Sequence, residues 1–211
     1  MKKDKTIAKY LLQIKAIKLE PANPFTWSSG WLSPIYCDNR KSLSFPYVRD
    51  YIRDQFVDLI KNQYPETEII AGVATGAIAH GILVAEKLNL PFVYVRPNPK
   101  GHGLGNQIEG YLEPGKKTVV IEDLISTGNS SLKAVEALRQ AEAKVAGMLA
   151  IFSYGFQKAS DNFRDHHCNI TTLSDYNTLI DEALNEDYIK ASDLDTLKEW
   201  RKDPENWKPS K

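Results

Sequence analysis

In the stretch 119–131, VVIEDLISTGNSS, an apolar run ends in two acids and passes into a loop of hydroxyls and glycine. Glu122 and Asp123 can accept hydrogen bonds from vicinal sugar hydroxyls, while Ser126, Thr127 and Ser130 and the nearby backbone amides can donate to an anion. Carboxylates alone would repel phosphate, but a glycine-containing turn that opens a helix attracts it. A ribose 5-phosphate satisfies both demands. A capped helix with solvated acids would explain the Ser and Thr, but not an acidic pair at the end of a buried strand. The GK[ST] of a Walker-type phosphate loop is absent.

Two other loops carry the same chemistry less specifically. RPNPKGHGLGNQIEG, 96–110, places Arg96, Lys100 and His102 within seven positions among four glycines. It reads either as a mobile flap bringing cations over a site or as a disordered surface loop. GVATGAIAHG, 72–81, follows an apolar strand and opens a helix with small residues. Alone it reads as an ordinary, tightly packed strand-to-helix turn, with anion approach as the alternative.

Positioning these loops requires strands that end together. The spacing of Ile7, Leu11, Ile14 and Ile17 predicts an N-terminal helix stopping before Pro21. Ser44 and Pro46 read as cap and first turn of a helix with Val48, Ile52, Phe56, Leu59 and Ile60 on its apolar face. EIIAGV, PFVYV, KTVVIE and KVAGMLAIFSY then read as strands, with helices AIAHGILVAEKLN and SSLKAVEALRQA between them, NITTL as a short strand candidate, and acidic helices at the end. This alternation predicts an α/β fold with a mostly parallel central sheet flanked by helices. In such sheets ligands sit beyond the carboxyl ends of the strands.

The chain has 211 residues, 42% hydrophobic, and 27 basic residues balance 27 acidic ones. That suits one domain with a full core and gives no global field for nucleic acid or an anionic membrane. No apolar run approaches a membrane span or signal peptide, and two cysteines, Cys37 and Cys168, make no disulfide framework. The expectation is a cytoplasmic protein with no nucleic-acid or membrane partner.

The 119–131 stretch resembles the phosphoribosyl pyrophosphate (PRPP) motif of type I phosphoribosyltransferases. FTWSSGWLSPIYCDNR and KGHGLGNQIEG narrow the resemblance to the orotate phosphoribosyltransferases. It runs from about residue 16 to 154, and LSDY and EWR continue it more weakly. It implies a single domain over 1–211, with a hood over about 1–45, a lid over about 97–110 and a C-terminal helical segment over about 174–211. It further implies that orotate and PRPP give orotidine 5'-monophosphate and pyrophosphate, in UMP biosynthesis, with Mg²⁺ held mainly through PRPP and water and by no dedicated protein ligands. By the resemblance, Glu122 and Asp123 bind ribose hydroxyls near the developing cation. Leu124, Ile125, Ser126, Thr127, Gly128, Asn129 and Ser130 form the PRPP-binding loop, and Ser126 also approaches orotate. Arg96, Lys100 and His102 meet the pyrophosphate; Lys100, His102 and Asp123 are the catalytic candidates. A homodimer with shared active sites is implied as well.

The chain departs from the family pattern in three places. Pro97 follows the lid arginine where some relatives have a basic residue. Trp27, Ser28, Ser29 and Gly30 stand where many have a lysine-containing stretch, and Tyr154 and Gly155 stand where some have an orotate-binding arginine. Tyr36 and Cys37 read equally as part of a base pocket and as core residues of a short strand. Two other functions compete. A PRPP-sensing regulator would lack the lid and carry a nucleic-acid surface, whereas a purine phosphoribosyltransferase would differ in the base that triggers pyrophosphate release.

Overall fold

The computed structural model describes residues 3–27, 29–98 and 107–209. Lys100, His102 and Ser28 lie outside the described residues.

The chain begins with helix α1 (Lys3–Gln13), whose Ile7, Ala8 and Leu11 are fully buried. Lys15 then turns left-handed at φ 53°, and Ile17, expected to continue the helical face, instead opens strand β1 (Ile17–Leu19). Its helical spacing was coincidental: the chain reverses at Lys15, and Ile17 reaches the core from a strand. Strands β2 (Phe25–Thr26) and β3 (Leu32–Ser33) form a hairpin, and β4 (Ile35–Cys37) pairs antiparallel with β1. A 3₁₀ helix, Asn39–Ser44, leads into α2 (Pro46–Gln63). Proline occupies the first turn of α2 as expected, but Ser44 belongs to the 3₁₀ helix and the N-cap is Phe45, with no side-chain cap bond. The fixed proline φ therefore starts this helix without a hydroxyl cap.

The main sheet is built from β5 (Ile69–Val73), β6 (Phe92–Val95), β7 (Ile108–Glu109), β8 (Lys117–Ile125), β9 (Lys144–Ser153) and β10 (Ile170–Asp175). Their order is β10-β9-β8-β5-β6-β7; every neighbouring pair is parallel except β6 and β7. Helices α3 (Ile78–Leu88), α4 (Asn129–Gln140), α5 (Gln157–Asp165), α6 (Tyr176–Asn185) and α7 (Leu194–Lys202) complete the chain.

Alternate side chains of the central strands feed two cores. Ile70, Val119, Ile121, Leu149 and Ile151 pack with α1, α2, α3 and α6, while Ala71, Val120, Met148 and Ala150 pack with α4 and α5. Burial on both faces explains the continuous apolar runs of these strands. At the sheet edge, the Arg96 amide donates to Gln107 O at 2.9 Å and Gln107 Nε2 donates to Arg96 O at 2.8 Å, pinning these two residues together.

Candidate functional site

Strand β8 continues through the acids to Ile125, so Glu122 and Asp123 lie within the strand and not at its end. Leu124 and Ile125 still pair with β9, which extends the ladder beyond the apolar run. The two acids differ in exposure. Glu122 is buried; its carboxylate accepts the Ser131 hydroxyl at 2.7 Å and the Asp123 amide at 2.8 Å. Burial, and next the charge of Asp123, push the Glu122 carboxyl well above the usual carboxylate range. Asp123 is partly exposed.

Asp123 is held by its surroundings as much as by the strand. Its carbonyl accepts Asn39 Nδ2 at 2.6 Å. Gly76 packs so closely that a Cβ there would lie 2.1 Å from Asp123 Oδ2. The 72–81 turn is thus tightly packed, with Gly72 and Gly81 against the Phe92 ring, and it also presses on the site. Asn39 is supported in turn by Ser42, whose hydroxyl donates to Asn39 O at 2.6 Å and lies 3.1 Å from His80 Nε2. The Ser42 proton being committed, His80 Nε2 donates to Ser42 and the neutral Nδ1 has no partner among the described residues. Burial and then the Arg49 charge lower the His80 pKa to about 4.

After β8, Gly128 takes φ 81°, and a side chain there would also strike Phe163 of α5, its Cβ 2.7 Å from the ring. Glycine is therefore required twice over at this turn. Among the described residues, the Thr127 and Gly128 amides donate no backbone bond, and the first-turn amides of α4 lack intrahelical acceptors. Asn162 of α5 braces the turn, donating to Thr127 O at 2.8 Å and Asn129 Oδ1 at 3.0 Å.

Ser126, Thr127, Asn129 and Ser130 line one side of a cleft of about 750 Å³; Thr26, Trp27, Trp31, Tyr36 and Cys37 line the other. Tyr36 and Cys37 are thus wall residues as well as members of the short strand β4. The wall is fixed from the far end of the chain. Trp200 donates to Leu32 O at 3.2 Å, and its ring meets those of Trp27, Tyr154, Phe156 and Tyr176 at 5.4 to 5.7 Å.

Arg96 lies at the carboxyl end of β6, where its guanidinium pairs with Glu109 of β7 at 3.5 Å. Among the described residues no three His, Cys, Asp or Glu side chains gather as a metal cage. Sequence reasoning missed Gly76, Asn39, Ser131 and Trp200. Asn39 and Ser131 sat inside recognisable motifs, whereas Trp200 lay in the EWR segment, which continued the resemblance only weakly and gave the ring no role.

Residues 47–187 match the family model described as a phosphoribosyl transferase domain. The orotate phosphoribosyltransferase of Phocaeicola vulgatus is 55% identical over 99% of this chain and 98% of its own. That of Listeria monocytogenes is 52% identical over 97% of this chain and 98% of its own. The crystal structure of the Aeropyrum pernix orotate phosphoribosyltransferase superposes with a TM-score of 0.76 at 27% identity, covering 87% of this chain and 99% of that one. Sharing more than half of its residues with such relatives from one end to the other, the chain belongs to the orotate phosphoribosyltransferase family.

Proposed function

We propose that the chain transfers the 5-phosphoribosyl group from PRPP to orotate, giving orotidine 5'-monophosphate and pyrophosphate in de novo UMP biosynthesis. One observation carries this reading. A partly exposed carboxylate, Asp123, leads into a glycine turn with undonated amides, at the edge of a cleft whose opposite wall is aromatic. Such a cleft suits a polyhydroxylated, phosphorylated ribose on one side and a planar base on the other.

In this mechanism the ribose C1–O bond to pyrophosphate breaks as orotate N1 bonds to C1, and the N1 proton is lost. Positive charge develops on the ribose and negative charge on the leaving group. Asp123 accepts the ribose hydroxyls and faces the developing cation. Glu122, buried behind it, holds the Asp123 amide and Ser131 in place and contributes to the same subsite. Leu124 and Ile125 carry the strand into the 126–130 turn, which cradles the 5-phosphate, with Ser126 also near orotate. Arg96 exchanges Glu109 for pyrophosphate, Lys100 neutralises that group, and His102 donates a proton or hydrogen bond to it. Mg²⁺ neutralises phosphate charge when bound. Asp123 is a hard oxygen donor of the kind it accepts beside substrate oxygens and water.

We further place the enzyme in the cytoplasm, acting as one phosphoribosyltransferase domain in a homodimer whose lid reaches the partner's site. Both cysteines are unpaired, as a reducing compartment favours. No described helix is long and apolar enough to cross a membrane.

The test is to offer orotate, uracil, hypoxanthine and adenine separately with PRPP and Mg²⁺ and to identify the nucleotide. Orotidine 5'-monophosphate from orotate alone is expected; a purine nucleotide would overturn the reading. For shared sites, co-refolded Lys100→Ala and Asp123→Asn chains should regain activity in about a quarter of sites under random pairing. Activity staying at the parental average after verified exchange would place Lys100 in its own chain's site.

A further inference from the structure

Asn162, half-buried on α5, takes no part in the reaction described above and lines no part of the cleft, yet both protons of its amide are committed to the turn after β8. Its Nδ2 donates to Thr127 O at 2.8 Å and to Asn129 Oδ1 at 3.0 Å. A backbone carbonyl can only accept, so the bond to Thr127 fixes which end of the Asn162 amide faces the turn. The same NH2 group then fixes its neighbour. Asn129 must offer it an oxygen, which leaves Asn129 Nδ2 as the free end, without an acceptor among the described residues.

The bond to Thr127 O has a second effect. In a planar trans peptide the carbonyl and the following N–H point opposite ways, so a Thr127 carbonyl turned toward α5 turns the Gly128 N–H away from it. That amide donates no backbone bond. Gly128 is also stopped from the α5 side by Phe163, whose ring a Cβ there would meet at 2.7 Å. Two consecutive side chains of α5 thus set both the place of the turn and the direction of its donors. Thr127 and Asn129 line the cleft. An anion facing the Asn129 oxygen would be repelled by its lone pairs, whereas one facing Nδ2 meets two protons. The choice is one of polarity at unchanged shape.

We propose that Asn162 is a positioning residue for the phosphorylated substrate: it turns the Asn129 NH2 group and the Gly128 N–H away from α5, so that the turn presents both donors to the 5-phosphate. The assignment rests on the function proposed above.

The test measures KM for PRPP and for orotate in Asn162→Ala, Asn129→Ala and the double variant, beside calorimetric binding of ribose 5-phosphate and thermal melting. Asn162→Ala should raise KM for PRPP about tenfold, weaken ribose 5-phosphate to a similar extent, and leave KM for orotate within about twofold. Asn129→Ala should raise KM for PRPP about fivefold. Because Asn162 acts through Asn129, the double variant should stay near tenfold, well short of the roughly fiftyfold of independent losses. Should the alanine at 162 fail to fold, Asn162→Asp keeps the volume but can only accept, and it must raise KM for PRPP at least tenfold. Independent losses in the double variant would overturn the proposal. So would an Asn162→Ala enzyme that melts earlier but keeps the wild-type KM for PRPP, since a brace alone predicts that result. Ribose 5-phosphate needs no acceptor base, which separates this assignment from the function: a wild type that binds it but makes no orotidine 5'-monophosphate would overturn the function, and the loss of ribose 5-phosphate affinity in Asn162→Ala would still decide the positioning role.

Discussion

Thr127 and Trp27 line the same cleft but owe their positions to different forces. The wall containing Thr127 comes from contiguous residues at the exit of β8, held by directional contacts: Ser131 on Glu122, Asn39 on the Asp123 carbonyl, and Asn162 on Thr127. The wall containing Trp27 is assembled from rings more than a hundred residues apart, among them Tyr154 and Trp200, held by edge-on and tilted packing. Hydrogen-bonded turns fix atoms to tenths of an ångström where charge develops. Packed rings instead shape a slot whose occupant can be altered by substituting side chains. On the roles proposed above, the first construction suits the half of the ligand where bonds break, the second the half that must be recognised.

That contrast is open to attack by substitution. Asp123→Asn should leave the melting temperature nearly unchanged and lower kcat/KM about a thousandfold, within the range for removing one preorganised electrostatic partner of a transition state. If the variant unfolds, Asp123 is structural and the directional wall is misread. Trp200→Ala should do the reverse, costing about 3 to 4 kcal/mol of stability by emptying a fully buried site, while the surviving folded enzyme keeps its PRPP affinity better than its orotate affinity. Denaturant melts beside the two KM values decide it.

Gly76→Ala probes how finely the directional wall is set. With its new Cβ overlapping Asp123 Oδ2, the carboxylate must move, and a shift of about 1 Å would lower turnover about a hundredfold. Full activity with the alanine would mean that the 74–77 turn yields instead. The smallest effect concerns the link between the halves, the line from His80 through Ser42 and Asn39 to Asp123. Unfolded His80 takes up a proton near pH 6.5, the buried ring only near 4, so between these values stability falls as the pH drops. From that residue the loss at pH 5 is about 2 kcal/mol. His80→Gln should flatten that part of the stability profile, whatever its offset at pH 7; an unaltered slope would show that His80 is not the titrating group.

The sheet was legible because parallel strands buried on both faces read as plain apolar runs, and the phosphate turn because its residues are contiguous. Three features were not. Ile17 fitted a helical period by coincidence, since nothing in LQIKAIKLE announces the left-handed Lys15 that breaks it. The acids looked like the end of β8 because polarity usually marks a strand end; here Glu122 stays buried behind Ser131. Trp200 was invisible as a site residue because its ring contacts and its bond to Leu32 span most of the chain, and one-dimensional spacing carries no record of such contacts.

The reciprocal bonds between Arg96 and Gln107 also bear on how this family can change. Arg96 and Gln107 meet at one point on the sheet edge, so the sheet registers only that these two residues meet, not how many lie between them. Doubling that ten-residue span would cost only about 0.6 kcal/mol in closure entropy. Insertions and deletions there are nearly neutral for the register of the neighbouring strands, so the constraint on the length of this segment comes from the reach proposed for Lys100 and His102 and not from the stability of the sheet.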